Sequence, residues 1–177
     1  MTESKSQDLE LDLESFDPSR AAIATQDQEA RGFAFSTLAE EQERRPADWL
    51  TEFTDLENAT RAHIDAPRSP DQMIERLDFL KVVPEALFIV RRGNSYVGYT
   101  YLNVAESDAH TLIHGWTGVR PEHRRKGLAT ALKLRAAAYA KARGYRRIVT
   151  SPRRNNPASL GANAKVGYGS APPNEEL

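Results

Sequence analysis

The feature that most constrains this chain is a strand that leads through a short basic turn into a long helix. Strand-forming residues run over 111–119, and an alanine-rich helical pattern starts near Gly127. The turn between them carries three consecutive basic residues, Arg124, Arg125 and Lys126. A helix start leaves its first backbone N–H groups unpaired and carries partial positive charge. Since glycine lets an anion approach the backbone closely, the segment predicts a binding site for a diphosphate.

The segments on either side predict a mixed α/β domain. Strand signals are β-rich runs bounded by turn residues, and they cover 21–25, 32–36, 86–91, 96–104, 111–119 and 147–150. Helix signals are capping residues followed by apolar residues at helical spacing, and they cover 37–45, segments starting at Pro46 and Ser69, 127–143 and 156–165. This order of elements is typical of a sheet with flanking helices.

Composition and the N-terminal residues narrow the setting. Residues 1–20 are acidic and poor in apolar residues, which predicts a disordered tail ahead of a single domain over 21–177. There is no apolar signal core and no run of roughly 18 apolar residues, so we expect a cytoplasmic protein with no membrane partner. The absence of cysteine excludes a thiol nucleophile and a cysteine-bound zinc. The four histidines lack the spacing of metal ligands, and we expect no metal.

Basic residues are concentrated in the second half of the chain. Residues 81–177 hold 16 Lys and Arg against 6 Asp and Glu, although the whole chain has a net charge of −1. The segment indicates an anionic partner (phosphates of a small molecule, a nucleic acid or a membrane surface) or a solvated surface. Nucleic acid is the less favoured partner, because the basic residues flank a glycine-containing helix start and have no stacking aromatics between them.

The basic turn has neither of the two best-known phosphate-binding glycine patterns. It carries Arg124-x-x-Gly127-x-Ala129, which resembles the signature of the GNAT superfamily of N-acetyltransferases, whose loop holds the pyrophosphate of acetyl-CoA. The strand end at 117–119 is similar to the family's splayed strand, which receives the pantetheine arm. The spacing of asparagines, glycine and tyrosine in 156–168 is similar to the family's closing segment.

This resemblance implies both a fold and a function. The fold is α/β (α+β), a mostly antiparallel mixed sheet with a splayed central strand and flanking helices, with an acceptor-side half over 21–85 and an acyl-CoA-binding half over 86–168. The function is transfer of an acetyl or short acyl group from acetyl-CoA to a primary amine of a small molecule or peptide, by direct attack in a ternary complex. The residues implied to bind acetyl-CoA are Thr117, Gly118, Val119, Arg124, Arg125, Lys126, Gly127, Leu128, Ala129, Thr130, Asn156 and Asn163. Arg153 and Arg154 either meet the 3′-phosphate of CoA or are solvated.

The resemblance departs from the family at the catalytic acid. Many members have a tyrosine five residues before the closing aromatic, whereas this chain has Asn163 there, similar to a branch of tandem-type acetyltransferases. The catalytic candidates are therefore His114, Asn163 and, for the oxyanion, the backbone N–H of Val119. Strand alternation predicts that Thr117 and His114 lie on opposite faces. A non-catalytic acyl-CoA-binding module is the alternative to an enzyme.

The C-terminal part is short relative to the family. Nine residues follow Tyr168, where family members continue with two more strands. We expect the resulting sheet edge to be covered by the strands predicted at 21–36 or by a second chain, because an open edge is a site of association. The sequence therefore predicts a homodimer whose interface includes that edge.

Overall fold

From residue 33 onwards, the strands and helices follow one another in the order that the sequence patterns predict. The computed structural model describes residues 8–106, 108–152 and 156–171. The strands are β1 (Leu9–Asp12), β2 (Phe33–Thr37), β3 (Leu87–Arg92), β4 (Ser95–Ala105), β5 (Asp108–Val119), β6 (Arg147–Thr150) and β7 (Gly169–Ser170). The helices are α1 (Ser19–Glu29), α2 (Leu38–Arg44), α3 (Trp49–Arg61), α4 (Pro70–Phe79), α5 (Leu128–Ala142) and α6 (Pro157–Val166). Within the described residues the sheet order is β2-β3-β4-β5-β6-β1-β7. The predicted mostly antiparallel sheet with flanking helices is confirmed.

Local sequence sets where two of the helices begin. The Thr37 side chain accepts a hydrogen bond from the Glu40 N–H, and the Glu40 carboxylate accepts one from the Thr37 N–H at 2.7 Å. This capping box satisfies two N–H groups that a helix start would otherwise leave unpaired. Ser69 and Gln72 form the same arrangement at the start of α4. Both helix starts agree with the prediction.

The central strand β5 is paired over different lengths on its two sides. It pairs antiparallel with β4 as far as Val119, which lies opposite Gly98. It pairs in parallel with β6 only over 111–113. Beyond that point, one edge of β5 has no strand partner among the described residues. This confirms the predicted splay, which lies at the end of β5 that leads into α5.

The prediction of a disordered tail over 1–20 is wrong for residues 8–20; residues 1–7 lie outside the described part of the chain. Residues 9–12 form β1, which pairs antiparallel with β6 and places Leu11 opposite Ile148. The leucines at 9, 11 and 13 are buried in the core. Their period-two alternation is a strand signal, and the surrounding acidic residues concealed it. β1 also occupies the edge of β6, so the open edge on which the homodimer prediction rested is filled by the same chain.

The strand predicted at 21–25 is also wrong, because these residues belong to α1. The buried residues of this helix, Ala21, Thr25 and Gln28, are spaced i, i+4 and i+7 and so form one helical face. That face packs against α5, and Thr25 accepts a hydrogen bond from Arg135 at 3.2 Å. A five-residue apolar run does not distinguish strand from helix, and here packing against α5 decides in favour of helix.

The sheet separates two hydrophobic cores. One core packs β1, α1, α5 and α6 against the sheet and includes Leu11, Leu132 and Ile148. The other lies under α2, α3 and α4 and includes Phe53 and Tyr99, whose rings meet edge to face at 5.1 Å. The splayed end of β5 therefore has α5 on one face and α3 on the other.

Candidate active site

The turn that links β5 to α5 has the backbone geometry of an anion-binding site. Gly127 precedes the helix with φ +85°, a left-handed conformation that glycine adopts without strain. The first intrahelical bond runs from the Ala131 N–H to the Gly127 carbonyl at 3.0 Å, so the N–H groups of residues 128–130 have no partner within the helix. No acidic side chain occupies the first turn of α5. Free amides at the positive end of a helix dipole favour a phosphate group there.

The three basic side chains of the turn are held differently. Arg124 donates from Nε to the carbonyl of Val119 at 3.0 Å, and Lys126 donates from Nζ to the carbonyl of Glu122 at 3.1 Å. Arg125 is exposed and has φ +60°, an unusual value for a residue other than glycine. All three charges lie within the turn that precedes the free amides. The three basic residues predicted from the sequence therefore all lie directly before the free amides of α5.

Sequence reasoning missed a contribution from α1 to this turn. Gln28 donates from Nε2 to the carbonyl of Lys126 at 2.9 Å, and Arg31 donates to the same oxygen at 3.4 Å. A Cβ on Gly127 would approach Gln28 Nε2 to 3.2 Å. No local signal indicates this contact, because Gln28 lies 98 positions before Lys126.

The backbone N–H of Val119 points away from β4. The Arg120 N–H donates to the Val97 carbonyl at 2.8 Å, which makes this a hydrogen-bonded pair. Antiparallel ladders alternate hydrogen-bonded and non-hydrogen-bonded pairs. The neighbouring Val119–Gly98 pair is therefore of the non-hydrogen-bonded kind. Because β5 and β6 pair only over 111–113, the Val119 N–H has no partner strand on that side among the described residues.

A bulge in β5 changes the predicted alternation of side chains. Thr117 lies opposite Thr100, and His114 lies opposite Leu102, so one residue of β4 faces two residues of β5. As a result Thr117 and His114 lie on the same face, and the prediction of opposite faces is wrong. Both bond to Thr100, whose Oγ1 lies 2.7 Å from Thr117 Oγ1 and 2.7 Å from His114 Nε2.

His114 belongs to a buried hydrogen-bond network that also includes Thr100, Thr117 and Tyr168. Its Nδ1 lies 2.7 Å from the Tyr168 hydroxyl, so both ring nitrogens have partners. The side chain is 3% exposed. Burial, with a smaller contribution from the charge of Lys133, holds the pKa of His114 well below its ordinary value. His114 is therefore neutral at physiological pH, and its Nε2 is connected to the Thr117 hydroxyl through the hydroxyl of Thr100.

The two predicted asparagines have different surroundings. The Asn156 side chain accepts a hydrogen bond from the Ser159 N–H at 3.1 Å and so caps α6. The Asn163 side chain is fully buried, and neither of its polar atoms has a hydrogen-bond partner among the described residues. Buried amides are normally paired, so Asn163 is the position in α6 with unused capacity to bind a ligand or a water. Arg153 and Arg154 lie outside the described residues.

A buried lysine, Lys133, lies beside the hydrogen-bond network of His114 and Tyr168 and makes the stability of the protein depend on pH. Lys133 lies on α5 with Nζ 5.8 Å from the centre of the Tyr168 ring, and burial lowers its pKa from 10.5 to about 7. Between about pH 7 and 10 the unfolded chain holds a proton on this group that the folded chain has released. The free energy of unfolding therefore rises with pH in this window, by up to about 1.4 kcal/mol per pH unit.

The measurement is urea unfolding of the wild type and of Lys133→Met at pH 7, 8, 9 and 10. We expect the variant to be more stable at pH 7, by about 2–4 kcal/mol, because it removes the cost of burying a charge. We also expect the variant to lack this rise in stability between pH 7 and 9. Parallel pH profiles for the two proteins would contradict the assignment.

Among the described residues, no group of three or more His, Cys, Asp or Glu side chains is arranged to hold a metal ion. None of the helices has both the length and the apolar composition needed to cross a bilayer.

Comparison with known proteins gives one family match. A family model described as the acetyltransferase (GNAT) family matches residues 48–168. A search of curated protein sequences finds no match to this chain.

Several solved structures share the fold. A GCN5-related N-acetyltransferase from Sphaerobacter thermophilus aligns with TM-score 0.67 and 15% identity, covering 96% of this chain and 50% of that one. A tandem GNAT protein from the clavulanic acid biosynthesis pathway aligns with TM-score 0.63 and 18% identity, covering 96% and 51%. YncA, a putative acetyltransferase from Salmonella typhimurium solved with acetyl-CoA, aligns with TM-score 0.60 and 20% identity, covering 77% and 79%. The chain spans about half the length of the first two of these proteins.

Proposed function

The chain belongs to the GNAT acetyltransferase family, whose members transfer an acetyl group from acetyl-CoA to an amine, and from this premise we propose that it is itself an active N-acetyltransferase. Its donor is acetyl-CoA or another short acyl-CoA, and its acceptor is a primary amine on a small molecule or peptide. The observation that carries the proposal is the turn before α5, where free amides at residues 128–130 and three basic side chains surround Gly127 beside the splayed end of β5.

The chain's own residues suit the diphosphate of the donor. The amides at 128–130 and the positive φ of Gly127 offer hydrogen bonds that a phosphate accepts, and Arg124, Arg125 and Lys126 supply charge. In this proposal Thr117, Gly118 and Val119 line the cleft that takes the pantetheine arm, because one edge of this end of β5 has no partner strand in the described part of the chain. Asn163 contributes its side-chain amide from α6, which has no hydrogen-bond partner among the described residues.

Acyl transfer then proceeds by direct attack with both substrates bound. The chain has no cysteine, so no thiol acyl-enzyme forms. The amine nitrogen attacks the thioester carbon, the C–S bond breaks, the nitrogen loses a proton and the departing thiolate gains one. The Val119 N–H donates to the oxyanion of the tetrahedral intermediate. Holding the amine about 3–3.5 Å from the carbonyl carbon supplies much of the rate.

No tyrosine stands at position 163 to protonate the thiolate. The neutral His114 reaches the cleft only through two threonine hydroxyls, so a water molecule is the direct proton donor in this proposal. A thiolate is a modest base, and departure without a strong acid is chemically reasonable.

The test is acetyl transfer by the purified full-length protein. Acetyl-CoA is mixed with a polyamine, an aminoglycoside or a lysine peptide, and both CoA thiol and acetylated product are measured, the latter by mass spectrometry. We expect the two to appear in equal amounts with at least one acceptor. Acetyl-CoA binding without CoA release would favour the non-catalytic module, and a failure to bind acetyl-CoA would remove the basis of the proposal.

A further inference from the structure

We propose that Gln28, on α1, is a positioning residue for acyl-CoA binding: it turns the peptide between Lys126 and Gly127 so that the Gly127 N–H faces the diphosphate. The inference rests on the proposed function, since it assigns a role within the same phosphate-binding turn. It concerns a residue that lies outside the turn and outside residues 48–168, the part of the chain that matches the family model.

The geometry of one peptide bond determines where the Gly127 N–H points. In a planar trans peptide, the carbonyl of one residue and the N–H of the next point in opposite directions. Gln28 Nε2 donates to the Lys126 carbonyl at 2.9 Å, and Arg31 donates to the same oxygen at 3.4 Å. Because both donors belong to the α1 side, the Gly127 N–H must point away from α1. Among the described residues this N–H has no hydrogen-bond acceptor.

The packing of α1 restricts the position of the Gln28 side chain. Ala21, Thr25 and Gln28 form the buried face of α1, and Thr25 bonds to Arg135 of α5. Gln28 is 6% exposed. Its side chain therefore has little conformational freedom. It reaches the turn from α1, and α1 packs against α5, the helix that begins directly after the turn.

Gln28 makes the folded protein less stable than an apolar side chain at this position would. Its Oε1 is buried and has no hydrogen-bond partner among the described residues. An unpaired buried acceptor lowers stability, and an apolar side chain of similar size would fill the space without that cost. A methionine of similar size could not donate the hydrogen bond that Gln28 Nε2 gives to the Lys126 carbonyl.

The experiment compares Gln28→Met with Gln26→Met, a matched change on the exposed face of the same helix. Calorimetry gives the Kd for CoA and for dephospho-CoA, and melting without ligand verifies folding. We expect Gln28→Met to raise both Kd values about tenfold, the factor that corresponds to one lost hydrogen bond. We expect Gln26→Met to change neither. Because dephospho-CoA keeps the diphosphate and lacks the 3′-phosphate, equal losses exclude the 3′-phosphate as the place of the effect.

A second measurement reports on orientation directly. Labelling the 10 glycines with ¹⁵N allows the Gly127 amide to be followed as CoA is added. We expect a large shift of this signal in the wild type and in Gln26→Met, and a much smaller one in Gln28→Met. If Gln28→Met folds poorly, Gln28→Ala takes its place in both measurements.

The outcomes separate this inference from the proposed function. If the wild type does not bind CoA, the proposed function fails first. If the wild type binds and Gln28→Met binds as tightly, with the Gly127 shift retained, the positioning role is wrong while the proposed function stands. A loss for CoA alone would also overturn it, since that result would assign Gln28 to the 3′-phosphate.

Discussion

Replacing Gly127 with glutamate is expected to abolish acetyl-CoA binding, with a Kd at least about 100-fold higher than that of the wild type. Gly127 has φ +85°, and an added Cβ would approach Gln28 Nε2 to 3.2 Å. The glutamate carboxylate would also lie beside the amides that receive the diphosphate, where repulsion between like charges is worth several kcal/mol. Titration calorimetry with acetyl-CoA measures the loss.

Gly144→Glu is the matched control for this variant. Gly144 has φ +81°, so the same substitution causes a similar backbone strain, but a Cβ there would meet nothing within 4 Å. It lies beyond the far end of α5, about 25 Å from Gly127 at 1.5 Å per residue. We expect Gly144→Glu to bind acetyl-CoA as the wild type does, and we expect the two variants to melt at similar temperatures. Equal acetyl-CoA affinity in the two variants would refute the role of the turn.

Shortening one leucine of β1 is expected to destabilise the whole domain. Leu11 is 4% exposed and lies opposite Ile148 in the sheet. A buried leucine reduced to alanine loses its packing and leaves a cavity, at a cost of about 2–5 kcal/mol. We therefore expect Leu11→Ala to lower the free energy of unfolding by this amount, measured by urea unfolding at pH 7.

The control for Leu11→Ala is Ile23→Ala on α1. Ile23 is 57% exposed, and shortening an exposed side chain changes stability by no more than about 0.5 kcal/mol. A disordered segment before residue 21 would make both substitutions equally harmless. If Leu11→Ala proved as mild as Ile23→Ala, β1 would have no part in the folded core.

The predictions that succeeded depend on residues close together in the chain. The capping boxes at Thr37 and Ser69, the strand end at Val119 and the helix start at Gly127 are local patterns that report a local conformation. The turn that we propose to bind the diphosphate could be located for the same reason. Its amides are free because a helix begins there, whatever surrounds it.

The predictions that failed depend on contacts between distant segments. The alternating leucines of β1 were hidden by acidic neighbours, and their partner strands, β6 and β7, lie far along the chain. The run at 21–25 suits a strand or a helix equally, and packing on α5 makes it a helix. The bulge that brings Thr117 to the face of His114 arises from the pairing of β5 with β4.

Sequence alone was therefore sufficient to predict the family, the order of most elements and the backbone conformation of the turn before α5. Each of these is encoded within a few consecutive residues. Tertiary structure decided which segment completes the sheet, which face the polar side chains occupy and that Gln28 reaches Lys126. The physical reason is that burial and strand pairing act between segments far apart in the chain, and no short window of residues specifies its partner.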